Sequence, residues 1–480
     1  MKRFISIFLV CAVIFSACST AFASIGECDC GNTPVIFVRG FGEAIYENPE
    51  SEDRVEVFST IGDTAINNIP QLLLGVLGLL THNYDLFGKY AVEVADEMLE
   101  KLECDENGEP LYNTGVRPQE APDYQTHLNE ISLLRCDEFE DKYTDNCYYF
   151  RYDWRMSPID NAKLLNEYAE EVMEVTNHSS FSLACHSQGN TVVTSYLYLY
   201  GSENVEKVAF LSPAYQGVSL ISSLLTKEID VQGKADSLEL FVSAMLGEEQ
   251  AGLATLIRIL NKLNIIDGLL LWLDGVLDSQ YDRIFDEYLT CSFGNLAGVW
   301  SFVTVEDYEK AKLNKFGENY TETEFIKKID EYHYNVQKKL PEIIQSVMAQ
   351  GTEVMICSGY NIASIPVTTG DAVHSDMLIC SEHMSIGATF APVGETFENG
   401  YTQAVDCGHD HVSSDLMIDA STCAFPEITW FFKGMDHNTF PEEYVLFINT
   451  FLTTEEQITV HSFEDYPQFL KPDGNEIVAI

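Results

Sequence analysis

The stretch FSLACHSQGN, residues 181–190, decides the fold. An apolar run leads into Ser187, flanked by His186 and Gln188, and Gly189 closes the turn before a helical pattern opens at Thr191. Strand, single-serine turn and helix are what a nucleophile elbow requires, because the turn must lift the serine oxygen above the carboxyl edge of a sheet. Such a turn needs small residues two before and two after the serine, where a Cβ would strike the strand or the helix. Gly189 meets that need; Cys185 stands where glycine is usual, and reads as a small buried thiol. The competing reading is an ordinary serine in a strand-to-helix loop.

Further strands read in the same way, VIFV within residues 33–44 as a continuous apolar run and CYYF opening residues 147–155, VEKVAFL from Val205, residues 352–360 and residues 428–434 as mainly apolar ones. Runs without polar alternation suit a sheet covered on both faces. Helical patterns lie at residues 71–102, 162–175, 191–200 and 442–451. Alternating strands and helices predict an α/β fold with a mostly parallel sheet. Between residues 217 and 350 only helical patterns occur, so this segment reads as a large helical cap inserted into one core made of residues 24–216 and 351–480. Its apolar stretch, residues 253–277, has two readings: a lid that opens at a lipid surface, or helices packed on the sheet.

The N-terminus carries Lys2 and Arg3, then an apolar run, then AFA ending at Ala23. This is the pattern of a cleaved secretory signal, residues 1–23. Cys18, in FSAC, opens a second possibility, lipidation and tethering to a cell surface; an uncleaved anchor is a third. The 75 acidic against 27 basic residues, a formal net charge of −48, argue against nucleic acid or an anionic membrane as electrostatic partners. With 13 cysteines in an exported chain, some disulfides are expected, although the spacings do not reveal their pairing.

Acyl transfer at Ser187 needs two backbone N–H donors for the developing oxyanion. Gln188 supplies one, and the early turn VRGFG supplies the other through Phe41, with Gly40 permitting close approach. His437, just past the last strand, is positioned to act as base. The acid is ambiguous because one motif occurs twice, as SDMLI with Asp376 and as SDLMI with Asp415. Asp415 is the first choice, since the short segment to His437 has room for one helix and one strand; Asp376 is the alternative, and Asp410 and Asp419 are remoter ones. HDH, His409 to His411, is a candidate metal cluster, set against a solvated loop, as is the aspartate motif that does not supply the acid. The expectation is no metal and no cofactor.

Together, VIFVRGFG, YDWRMSP, LACHSQGN, SPAYQG and WFFKGMDHN make the chain resemble α/β-hydrolases of the lipase and lecithin:cholesterol acyltransferase-like group. The likeness covers the sheet, in the order serine, acid, histidine; Arg39 and Cys185 depart from the group's usual residues. It implies the α/β-hydrolase fold and a serine-dependent carboxylic-ester hydrolase acting on an ester or lipid substrate through an acyl-enzyme. Acyl transfer to an alcohol would use the same machinery, and a catalytically silent surface binding module is the reading from another class. Contact with a lipid surface through the cap is an expectation; protein partners are unknown.

Overall fold

The computed structural model describes residues 33–57, 68–122, 146–231, 233–246, 251–367, 372–454 and 458–480. The expected leader and Cys18 lie outside the described residues. Eight strands form the main sheet: β1 Val35–Val38, β2 Cys147–Phe150, β3 Phe181–His186, β4 Val205–Leu211, β5 Glu353–Tyr360, β6 Thr429–Lys433, β7 Phe469–Asp473 and β8 Glu476–Ala479. Their spatial order is β8-β7-β6-β5-β4-β3-β1-β2, parallel throughout except for the antiparallel β7–β8 pair. Every residue of β1, β2 and β3 is buried, as a sheet covered on both faces requires.

From β1 the chain runs outward to β2 and then returns to β3 on the other side of β1. The carboxyl ends of β1 and β3 therefore flank a topological switch point, where open α/β sheets hold their ligands. Ser187 follows β3 there. This is the α/β-hydrolase arrangement.

Helices cover the sheet and build the cap. Between β1 and β2 lie α1 Ile69–Leu80 and α2 Tyr84–Leu99; between β2 and β3 lies α3 Pro158–Thr176; α4 Gly189–Tyr200 follows the elbow. Ser157 caps α3 by accepting from the Ile159 N–H, and Ile159, Ala162, Leu165, Ala169 and Val172 bury one helical stripe. On α4 even the polar residues of the first turns are buried, and Thr191, Thr194 and Ser195 return their hydroxyl protons to carbonyls one turn back.

The inserted segment contains α5 Ser219–Thr226, α6 Ala235–Leu246, α7 Ala251–Lys262, α8 Ile265–Ile284, α9 Tyr308–Phe316, α10 Glu324–Asn335 and α11 Leu340–Ala349; α12 Glu442–Thr453 follows β6. These helices serve two ends that helical periodicity does not separate. Amphipathic α10 and α11 pack on α3 and α4 as part of the sheet's covering layer. The α6–α8 group instead meets α2, where Gln280 donates to Asp85 at 3.3 Å and Arg283 to the Asp85 carbonyl at 2.9 Å. The cap thus draws on two segments far apart in sequence.

Two features differ from the sequence reading. The CYYF strand stops at Phe150, and residues 151–155 form a loop beside the site. After α12 the chain adds the β7–β8 hairpin, whose Gly474-Asn475 loop, with Gly474 at φ 67°, is a two-residue hairpin signal that FLKPDGNEIVA carries openly. All eight described cysteines are free thiols: Cys104, Cys147, Cys185, Cys357, Cys380 and Cys423 are buried, Cys291 and Cys407 exposed.

Candidate active site

Ser187 sits at φ 53°, in the left-handed region that costs a non-glycine residue about 1–2 kcal/mol. The elbow is held by the bonds around it. Ser187 N–H donates to the Leu211 carbonyl at 3.1 Å, and the Asn190 amide donates to the Ser187 and Leu211 carbonyls at 2.8 and 3.2 Å. Two glycines are sterically enforced: a Cβ on Gly189 would stand 2.1 Å from the Val38 carbonyl oxygen, and one on Gly40 would stand 2.5 Å from the Ser187 Cβ. Cys185 fits in place of glycine because its thiol is absorbed, donating toward Asn190 Oδ1 at 3.2 Å and the Ala209 carbonyl at 3.4 Å.

The loop after β6 carries His437. Its Nε2 accepts from the Ser187 hydroxyl at 2.9 Å, and its Nδ1–H donates to Asp376 Oδ2 at 2.6 Å. The other oxygen of Asp376 accepts the N–H groups of Leu378 and Ile379 at 3.1 and 2.8 Å, and His437 N–H bonds the Asp376 carbonyl at 2.8 Å. Asp376 is fully buried, and Gly359 makes room for it, since a Cβ there would lie 2.9 Å from the Asp376 Cβ. A glycine near the end of an apolar strand marks such a close approach, and ICSGY carried that signal. Burial works against a charged His437, but the Asp376 carboxylate outweighs it and holds the imidazole's pKa above the ordinary histidine value.

Asp415, the first choice from sequence, does not meet His437. Its Oδ2 pairs with Lys433 Nζ at 2.8 Å and accepts from Tyr360 at 3.1 Å, while Oδ1 accepts from Ser413 at 2.6 Å. Burial would raise its carboxyl pKa, but Lys433 and Ser413 hold it below the usual carboxylate range. The correction has a spatial cause. Between β5 and β6 the chain leaves the main sheet, pairing Ile362–Ala363 with His374–Ser375 and Thr389–Phe390 with Ile418–Asp419 in two small antiparallel ladders, and the two aspartates lie in different parts of this excursion. Asp419 is likewise engaged, by Ser421, Tyr401 and the Ala404 N–H. His186, next to Ser187 in the chain, points away from it and serves the neighbouring loop. Burial, with His437 nearby, pushes its pKa down to about 3, and its neutral Nε2–H donates to the His437 carbonyl at 3.0 Å, steadying the loop that carries His437.

Three elements close over the serine. Gly40 abuts it and Phe41 follows, half exposed, its ring 4.3 Å from that of Trp154 and 6.3 Å from that of Phe302. Gln188 opens the turn into α4, and its side-chain amide donates to the Trp154 carbonyl at 2.9 Å. Arg155, buried beside Trp154, pairs with Asp153 at 2.6 Å and donates to Thr114 Oγ1 and O at 3.1 and 3.0 Å. This ties the YDWR loop to the segment beyond α2. Ser187 and His437 are only 8% and 6% exposed. A cleft of about 600 Å³ opens beside the acid turn, lined by Cys380, His383 and Phe390 among others, but Ser187 does not line it.

Cap surfaces are strongly apolar. Leu73 and Leu80 of α1 are 64% and 75% exposed, and Leu269, Leu271 and Trp272 of α8 face solvent, as does Leu263 before it. Where the side chains of residues 253–277 are described, many project outward rather than onto the sheet. No described helix is long and apolar enough to cross a membrane. His409 and His411 lie outside the Ser187 arrangement, beside Glu427 and His461.

No known protein family's sequence profile matches the chain, and no curated protein matches it. Among solved structures it is similar to phospholipase PlaB from Legionella pneumophila, at 13% identity over 49% of this chain and 34% of that one, with a TM-score of 0.21. It is also similar to a chain of the Tle4–Tli4 complex, at 18% identity over 40% of this chain and 48% of that one, again with a TM-score of 0.21. The chain therefore spans less than half the length of either, and the α/β-hydrolase assignment rests on its own strand order and elbow.

Proposed function

We propose that the chain is a serine-dependent carboxylic-ester hydrolase acting on lipid esters. The observation that carries this is the relay of Ser187, His437 and Asp376, at 2.9 and 2.6 Å, on a strained elbow at the switch point of the sheet. Ser187 Oγ attacks the ester carbonyl carbon as His437 Nε2 takes its proton, and Asp376 stabilises the imidazolium. The backbone N–H groups of Gln188 and Phe41 receive the oxyanion. Collapse of the tetrahedral intermediate expels the alcohol, which takes the proton from His437; water then attacks the acyl-enzyme, helped by the same base. An alcohol in place of that water would make the reaction an acyl transfer.

Lipid as the substrate class is supported by the shielded serine together with the exposed leucines of α1 and α8. A cap that meets a lipid surface buries those side chains there and uncovers the site. Hydrolysis of a long-chain triglyceride emulsion should rise steeply above the substrate's solubility limit, and Leu73→Glu with Leu269→Glu should lower that rate roughly tenfold, a modest part of the burial energy of two leucines. The same variant should hydrolyse a short soluble ester normally. Smooth saturation through the solubility limit, unaffected by the variant, would point to a plain esterase.

Export is part of the proposal and rests on residues 1–23. Intact mass of the secreted protein should place its first residue at Ser24; a diacylated Cys18 would mean tethering instead.

A further inference from the structure

We propose that His409, His411, Glu427 and His461 form a four-ligand zinc site that fastens the excursion between Asp376 and β6 to the amino edge of the sheet. Four ligand atoms, one from each residue, lie within 4.8 Å of one another. Glu427 is the hub: its Oε1 is 3.1 Å from His409 Nδ1 and 3.4 Å from His411 Nε2, and its Oε2 is 3.1 Å from His461 Nε2. A tetrahedral zinc ion with bonds of about 2.1 Å sets its ligand atoms about 3.4 Å apart, so these atoms need only small shifts to meet one ion. Three imidazoles and a carboxylate are a donor set suited to zinc.

A second observation comes from His411, which is fully buried. Gln468 donates its amide N–H bonds to the Pro426 and Thr429 carbonyls at 2.7 and 3.0 Å, which fixes its Oε1 as an acceptor facing His411 Nδ1 at 2.7 Å. His411 Nδ1 must then carry a proton. Its Nε2, without a hydrogen-bond partner among the described residues, points into the cluster toward a carboxylate oxygen. A bare lone pair aimed at a carboxylate is repulsive; a cation between the two turns that repulsion into two bonds. The Gln468–His411 contact is the kind of outer support that orients a metal-binding histidine.

The position speaks for a structural ion. Glu427 precedes β6, while His437 follows its carboxyl end, so the cluster and the relay lie at opposite ends of one parallel strand. His461 comes from the connection to β7, and Val460 N–H bonds the Glu427 carbonyl at 2.9 Å. One ion would join the excursion, the start of β6 and the approach to β7.

The full-length secreted chain, stripped with a chelator and dialysed, should take up one zinc ion per chain on titration with zinc chloride, with a Kd of about 1 µM or tighter. His409→Ala and His461→Ala, at the accessible positions, should each weaken binding at least about 100-fold. Cobalt bound in place of zinc should give the intense visible bands of a tetrahedral ion, and these variants should lose them. Uptake that does not saturate at one per chain, binding only at millimolar zinc, or undiminished binding in both variants would overturn the proposal.

Discussion

Ser187→Ala should abolish labelling by a fluorophosphonate probe and lower ester turnover by roughly 10⁶-fold, the scale seen when a serine hydrolase loses its nucleophile. The expectation follows from the relay: without Oγ there is nothing for the carbonyl carbon to accept, and His437 has no proton to take. Residual turnover would reflect the oxyanion donors and binding alone. Thermal unfolding should be almost unchanged. The elbow is held by the Leu211 and Asn190 backbone bonds, which alanine keeps, and serine already occupies the left-handed conformation that alanine would adopt. Labelling that survives in the variant, read out by mass on the peptide containing residue 187, would move the nucleophile elsewhere.

Asp376→Asn should lower kcat by roughly 10⁴-fold with KM little changed, because an amide facing Nδ1 selects the wrong imidazole tautomer. Asp415→Asn should stay within about tenfold of the parent, since it loses a partly buried ion pair with Lys433 worth about 1 kcal/mol and no contact with the base. The pH profile separates a lost relay from mere damage. His437 acts only when neutral, and Asp376 raises its pKa, so in the parent kcat/KM should fall on the acid side with a midpoint above about 6.5. With the Asp376 carboxylate gone, burial is opposed only by the weaker pull of Asp436, and the small remaining activity should persist to lower pH. Crippled turnover in Asp415→Asn with near-normal turnover in Asp376→Asn would reverse the assignment.

The confusion between these two aspartates has a physical source. In each copy of the motif the aspartate Oδ1 accepts the N–H two residues on, Leu378 or Met417, and the residue between is left-handed, Met377 at φ 89° and Leu416 at φ 57°. The two segments are one turn folded twice, so local sequence holds nothing to separate them. The difference lies in what each turn meets, Gly359 and His437 or Lys433 and Tyr360. Only the path of the chain between the copies determines that. The elbow, by contrast, was legible because strand, turn and helix are consecutive, and the central strands because a doubly covered sheet leaves mainly apolar runs. His461, Glu427 and Gln468 were invisible for the same reason as Asp376: they come together across the β6–β7 connection.

The unpaired cysteines give the molecule a built-in clock. Burial pushes the thiols of Cys104 and Cys147 up to about 12 and that of Cys423 to about 11. At pH 8 a thiol of pKa 12 is ionised about one part in ten thousand, too little for an alkylating reagent to find even if it could enter. Each such sulfur reacts only when its own part of the fold opens. Cys185, two residues before Ser187, reports on the elbow, and Cys104 on the segment that Arg155 ties down. The rate at which iodoacetamide reaches each one therefore times the breathing of the native state region by region, with no label introduced and no residue changed.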